Sequence, residues 1–350
     1  MKRSTDWSTW LSLLAVATVC IVIGFRMLPD QAPATDPADT KSLLPPRGAE
    51  KVVHANAESP SPLAAMFTGD TQPPHGNLDG GPAPSAWAYA LASPDRTYEL
   101  PAALNEISDL AISADSKSLW AVTDELGTVY RIDIADGGIA ESHDFGPRGD
   151  YEALEQTNGN LVVGASDGLL FLLGAQDGGV RTVDTTLGPA CNMEGMAYDP
   201  TRRKVLLVCK TEMPKLPKGR KAFAIYAMNV ETNAIVREPV IVLPRQAIDD
   251  YVGTHGNDPS LKSNMGEEFA PSAIAVHPKT GQLYILSARG AMLVVLEATG
   301  TVARVSGLNP IMHPQPEGIA FDAQGTMFIS NETRGAHAML YSYQNHAAPP

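Results

Sequence analysis

Between Arg96 and Tyr343 the chain alternates short apolar runs with turns rich in Gly, Asp and Asn. Leu119–Thr123, Leu161–Ala165, Val205–Cys209, Leu283–Ser287 and Met327–Ser330 are runs of four or five residues. That is strand length, and no long amphipathic helical pattern accompanies them. Across a polar turn, each run follows a second stretch that recurs. Glu106-Ile-Ser-Asp-Leu-Ala-Ile-Ser aligns with Glu194-Gly-Met-Ala-Tyr-Asp-Pro, Ser272-Ala-Ile-Ala-Val-His-Pro and Glu317-Gly-Ile-Ala-Phe-Asp, with a weaker copy at Glu152-Ala-Leu. The starts fall at 106, 152, 194, 272 and 317, and three of the four spacings lie between 42 and 46 residues. Four strands and their turns need about 40–45 residues, the period of a propeller blade. The pattern predicts an all-β protein, a five-bladed β-propeller over residues 96–344.

The 78-residue interval after Glu194 leaves a six-bladed ring as the alternative. Residues 244–270 show no alternating strand, however, and are expected to form a long loop. The last repeat has room for three strands only, while Arg96–Leu100 precedes the first repeat without a blade of its own. An uncovered sheet edge invites aggregation, so this segment is expected to close the last blade as its outer strand.

Ahead of the propeller lies a different texture. Lys2 and Arg3 precede an uncharged run from Trp7 to Phe25, just long enough to span a bilayer as a helix. The positive flank favours a cytoplasmic stub at 1–6 and a transmembrane signal anchor at 7–27. A cleaved signal peptide is the alternative, and it exports the body equally. The expectation is a single-pass inner-membrane protein with its propeller in the periplasm. Residues 28–95 hold twelve of the 28 prolines and read as a flexible tether. Fully extended, such a chain reaches roughly 200 Å. Ser85–Ser93 is expected as a short docked helix.

Propeller geometry places the candidate chemistry. The repeated glutamate opens the innermost strand of each blade. Glu106, Glu152, Glu194 and Glu317 should therefore ring one mouth of the channel, with Ser272 in the fifth place. The ends of the second strands return to the same face with Asp124, Asp167, Glu212 and Glu332. Carboxylates so close repel unless a cation, a proton or a basic side chain offsets them. Hard oxygen donors without His or Cys clusters favour calcium, and Asn105, Asn192 and Asn331 add neutral oxygens. An architectural reading stands beside this, in which each glutamate accepts backbone N–H groups from the next blade. The 244–270 segment overhangs the same face and brings His255, while His313 precedes Glu317. Either could serve as a base. The basic stretch Lys210–Lys221 lies there too, suited to an anionic substrate or partner.

Composition narrows the partners. A formal net charge of −13 argues against nucleic acid. Of three cysteines, Cys20 lies in the apolar N-terminal run, which leaves Cys191 and Cys209. In simple register Glu194 falls opposite Cys209, so a bridge to Cys191 is not expected unless the chain bends. No G-x-S-x-G, H-E-x-x-H, P-loop, G-x-G-x-x-G or EF-hand loop is present, and nothing specifies a nucleophile.

Glu106-Ile-Ser with Leu119–Thr123, Tyr151-Glu152-Ala-Leu, Asn192-Met-Glu194-Gly-Met-Ala-Tyr and Pro316-Glu317-Gly-Ile-Ala-Phe-Asp with Met327–Glu332 resemble the SdiA-regulated (YjiK-like) family. The resemblance covers about residues 97–344. It implies five blades and a calcium site, and is distantly shared with NHL-repeat propellers. Ser272 and the 244–270 segment depart from it. Similar motifs occur in lactonase and esterase-like phytase propellers, so they specify the fold more than an activity. The leading expectation is a monomeric, membrane-anchored, calcium-binding propeller that binds a ligand or envelope protein at its channel mouth. A calcium-dependent hydrolase of lactones or phosphate esters and a metal-free structural propeller are the alternatives.

Overall fold

The computed structural model describes residues 53–54, 89–157, 159–174, 179–213, 221–263, 265–333 and 335–346. The expected anchor at 7–27 and nearly all of the expected tether lie outside them. Among the described residues no helix is long and apolar enough to cross a membrane.

Five sheets form a closed ring. A two-residue strand, β1 (Val53–His54), and the closing strand β2 (Arg96–Glu99) precede the first complete blade. Blade 1 holds β3 (Ile107–Ile112), β4 (Ser118–Thr123), β5 (Thr128–Asp133) and β6 (Ile139–Asp144). Blade 2 holds β7 (Tyr151–Thr157), β8 (Asn160–Ala165), β9 (Leu169–Leu173) and β10 (Val180–Asp184), and β1 pairs in parallel with β10 at its outer edge. Blade 3 consists of β11 (Met193–Asp199), β12 (Lys204–Cys209), β13 (Ala222–Asn229) and β14 (Ile241–Pro244). Blade 4 consists of β15 (Ala273–Val276), β16 (Leu283–Ser287), β17 (Met292–Leu296) and β18 (Val302–Gly307). Blade 5 is β19 (Pro316–Phe321), β20 (Met327–Asn331), β21 (Met339–Tyr343) and then β2, in that order. Arg96 pairs with Ser342 and Glu99 with Met339, so the first part of the chain closes the last blade as expected.

The core lies in the seams between blades. Side chains alternate across a strand, so one strand feeds two seams. In β12, Val205, Leu207 and Cys209 enter the blade 2–3 seam, and Leu206 and Val208 the blade 3–4 seam. In β16, Leu283 and Ile285 face blade 3, and Tyr284 and Leu286 face blade 5. Both faces are covered, which is why these runs are continuously apolar instead of alternating. The inner strands approach so closely that a Cβ at Gly195 would stand 3.0 Å from the backbone of Ala273 and Ile274. Seams 1–2 and 2–3 carry carboxylate latches as well. Asp109 accepts from Leu110 N and, across the seam, from Leu154 N, both at 2.8 Å. Glu155 accepts from Gln156 N at 2.7 Å and from Tyr198 N of blade 3 at 2.5 Å.

Two expectations are corrected here. The 244–270 segment is not an irregular loop. It forms α1 (Arg245–Thr254) and a short α2 (Met265–Glu268). Ile248, Met265 and Phe269 are buried in the blade 3–4 seam, and the Arg245 guanidinium lies 4.9 Å over the Phe223 ring. Together with the bridge Met228↔Ile235 in the link before β14, this insertion accounts for the long interval; the ring has no sixth blade among the described residues. The second correction concerns the cysteines, because Cys191 and Cys209 are bridged with Cα atoms 4.8 Å apart. Met193 pairs with Cys209, and Asn192 takes a left-handed turn at φ 48°, which folds Cys191 back over the strand end. In the expected docked helix, the described part makes only a turn, Ser93 N to Ala90 O at 2.8 Å.

Candidate functional site

Each acidic inner strand enters its blade through a bulge. The register skips Ser108 in β3, Glu152 in β7, Glu194 in β11 and Glu317 in β19. A bulged residue leaves the ladder and re-aims its side chain. The structurally equivalent residue in blade 1 is thus Ser108, and Glu106 stands two positions earlier, in line with Asp150, Asn192 and Gln315. The carbonyls of those four residues accept N–H bonds from Asp124, Ser166, Lys210 and Glu332 at 2.9–3.2 Å. Every blade except the fourth therefore delivers three polar positions to one mouth.

Nine of these twelve positions line a cavity of about 230 Å³. Glu106, Glu152, Glu194 and Glu317 all line it, as do Asp124 and Glu332. Ser108, Gln315 and Lys210 complete its polar wall. Blade 4 is absent from the lining. Its Ser272 is buried and latches the seam instead, donating to Pro316 O at 2.7 Å and accepting from Ala288 N at 3.1 Å.

The remaining expected residues are placed elsewhere. Asp167 caps its own turn through Leu169 N at 3.1 Å, and the position matching Asp124 is Ser166. Glu212 pairs with Arg245 at the start of α1. His255 is exposed at the end of α1, stacked on Tyr251 with ring centroids 4.0 Å apart. His313 is fully buried, held by Tyr343 OH at 2.8 Å and Asn331 at 3.2 Å. Burial pulls its pKa down to about 4, so its ring is neutral at physiological pH. Neither histidine lines the cavity, and among the described residues of 244–270 none lines it. Lys210 was legible only as the first residue of a basic stretch. The signal that finds it is positional, since it occupies in blade 3 the place of Asp124 in blade 1 and Glu332 in blade 5.

The electrostatics are strongly coupled. Burial, and then Glu194, Asp150 and Glu317, push Glu152 up to about 9. Burial also raises Glu194, against the pull of Lys210, whose Nζ lies 2.8 Å from its carboxylate. Asn192 Nδ2 donates to the other oxygen at 2.5 Å. Asp124 is raised by burial and then by Glu106 and Asp150, and it shares a hydrogen bond with Glu106. Its Oδ1 is sealed from solvent without a partner. Gln315 donates to Glu332. Among the described residues no three carboxylates, imidazoles or thiolates already stand close enough together to ligate an ion. The donor set is nonetheless of hard oxygens, with one orphaned at Asp124, and suits a cation of the calcium type.

Fold and site define a class: a five-bladed β-propeller with a carboxylate-rich cavity at one mouth. The SdiA-regulated family model matches residues 92–335, and the chain belongs to that family. A search of curated proteins finds no match. Among solved structures, the chain is similar to a Myxococcus xanthus glutaminyl cyclase, at 15% identity over 73% of this chain and 97% of that one, with a TM-score of 0.46. A luciferin-regenerating enzyme matches at 12% identity over 72% and 95%, TM-score 0.42. The propeller domain of Cps50 (Swd1) from Myceliophteria thermophila matches at 12% identity over 72% and 99%, TM-score 0.40.

Proposed function

We propose that this propeller is a membrane-anchored, exported binding module whose acidic mouth takes a cation, calcium by its oxygen chemistry. The observation that carries this reading is the convergence of side chains from four blades on one cavity that holds six carboxyl groups and a single ammonium. Such a cavity is stable only when its charge is offset. Glu106, Asp124, Glu152, Glu194 and Glu317 would hold the ion, with Ser108 and Gln315 as neutral oxygen donors. Bound there, the ion would neutralise the mouth and offer open positions to anionic or carbonyl groups of a ligand or envelope protein. Hydrolysis is the weaker reading, because neither His255 nor His313 reaches the cavity and Lys210 is held as an ammonium on Glu194. Calorimetric titration of the full chain with calcium tests the proposal. Binding that raises the melting temperature, and that Glu152→Gln with Glu317→Gln weakens at least tenfold, is the expected result. No heat and no melting shift at millimolar calcium would remove it.

A further inference from the structure

Lys210 enters the cavity under unusual constraint. Its N–H donates to Asn192 O at 2.9 Å, and the Cys191–Cys209 bridge lies one residue before each of these two partners. The staple thus holds the start of β11 and the end of β12 at a spacing that sets the ammonium on Glu194. The two groups of the pair differ in cover: the Glu194 side chain is 4% exposed and that of Lys210 is 44% exposed. A carboxylate so enclosed needs a permanent counter-charge, whereas an ammonium on a flexible four-carbon stem has an open route to water.

We propose that Lys210 is a tethered cation that occupies part of the mouth's ion site and leaves Glu194 when an external cation binds. This rests on the cation-binding reading above. The ammonium keeps the cavity partly neutralised when no ion is bound. A divalent ion brings twice the charge and competes for the same carboxylate. Affinity is therefore set below what the oxygen donors alone would give, and the mouth exchanges one cation for another instead of alternating between filled and uncompensated.

Calcium alone is the probe, titrated into the full chain. Lys210→Met is expected to bind it about tenfold more tightly than wild type, the scale on which breaking a partly buried ion pair weighs. Because this variant leaves Glu194 without its partner and can lose stability, a second measurement uses the wild-type protein. Acetylation of Lys210 by an amine reagent, read by mass spectrometry, should rise several-fold when calcium is added. If wild type binds calcium, Lys210→Met binds no more tightly and Lys210 labelling does not change, the inference falls while the cation reading stands. If neither protein binds, both fall. Binding by Lys210→Met alone supports the inference in its strongest form.

Discussion

Glu155 occupies a position where the other four inner strands carry Ala111, Ala197, Ala275 and Ala320. It is an acid in an alanine's place, and burial raises its pKa to about 7. In the unfolded chain it would titrate near 4.5. The folded state thus favours the protonated form. The stability this group contributes is complete below about pH 4.5 and is lost as pH rises through 7, by roughly 3 kcal/mol. Glu155→Gln should flatten the melting profile between pH 4.5 and 7 relative to wild type; parallel profiles would show that another group carries the dependence. Ser272 is a second residue with a checkable role. Ser272→Ala strands Ala288 N and Pro316 O, and an urea-unfolding loss of about 1–3 kcal/mol is expected. A change near zero would mean that the blade 4–5 seam is held by its apolar packing alone.

At the scale of elements, the strands were legible and the joints between them were not. The second strands declare themselves because both faces are buried and their centres are continuously apolar, and the inner strands because their motif repeats. In α1 the apolar residues Ile248, Tyr251 and Val252 are spaced three and one apart on a ten-residue helix, too short a pattern to stand out against its charged neighbours. The helix is defined by the seam it covers. Ile248→Ala should therefore cost about 2–4 kcal/mol in denaturant unfolding, as for a core side chain, where a solvated loop residue would cost almost nothing. The disulfide escaped for a related reason. Strand register alone sets Cys191 beyond reach, and only the left-handed bend at Asn192 closes the distance, a backbone choice that asparagine permits but does not announce. Replacing both cysteines with alanine is expected to lower stability by about 3 kcal/mol, in keeping with a loop of 18 residues. Equal unfolding midpoints before and after reduction would contradict this.

For the whole molecule, the repeat spacing carried the ring and its closure, since a propeller's period and its need to cover the last edge are both written along the chain. The candidate mouth was legible as a set of glutamates with a gap at Ser272, yet the shift in blade 1 was not. The bulges decide which residue of each repeat faces the cavity, and they shift blade 1 by two positions. They also bring in Lys210, which belongs to no acidic motif. Closure makes a direct prediction. A chain starting at residue 101 lacks β2 and leaves the edge of β21 bare, so it should elute as aggregate in size exclusion, whereas one starting at residue 89 should remain monodisperse. Monodisperse behaviour of both would show that the ring does not depend on its clasp.

Tyr89 sits ahead of that clasp, buried between the β15–β16 turn of blade 4 and the β19–β20 turn of blade 5, with its hydroxyl donating to Gly325 O at 2.6 Å and meeting His277 at 2.9 Å. These turns lie on the face opposite the acidic mouth, where β2 also begins. A pull applied immediately ahead of residue 89 is thus met first by an aromatic plug. Only then is it passed along the length of β2, loading its hydrogen bonds to β21 in parallel, in shear, instead of peeling them one by one. Force applied just ahead of Tyr89 would therefore load the far face and the clasp before it reached the mouth.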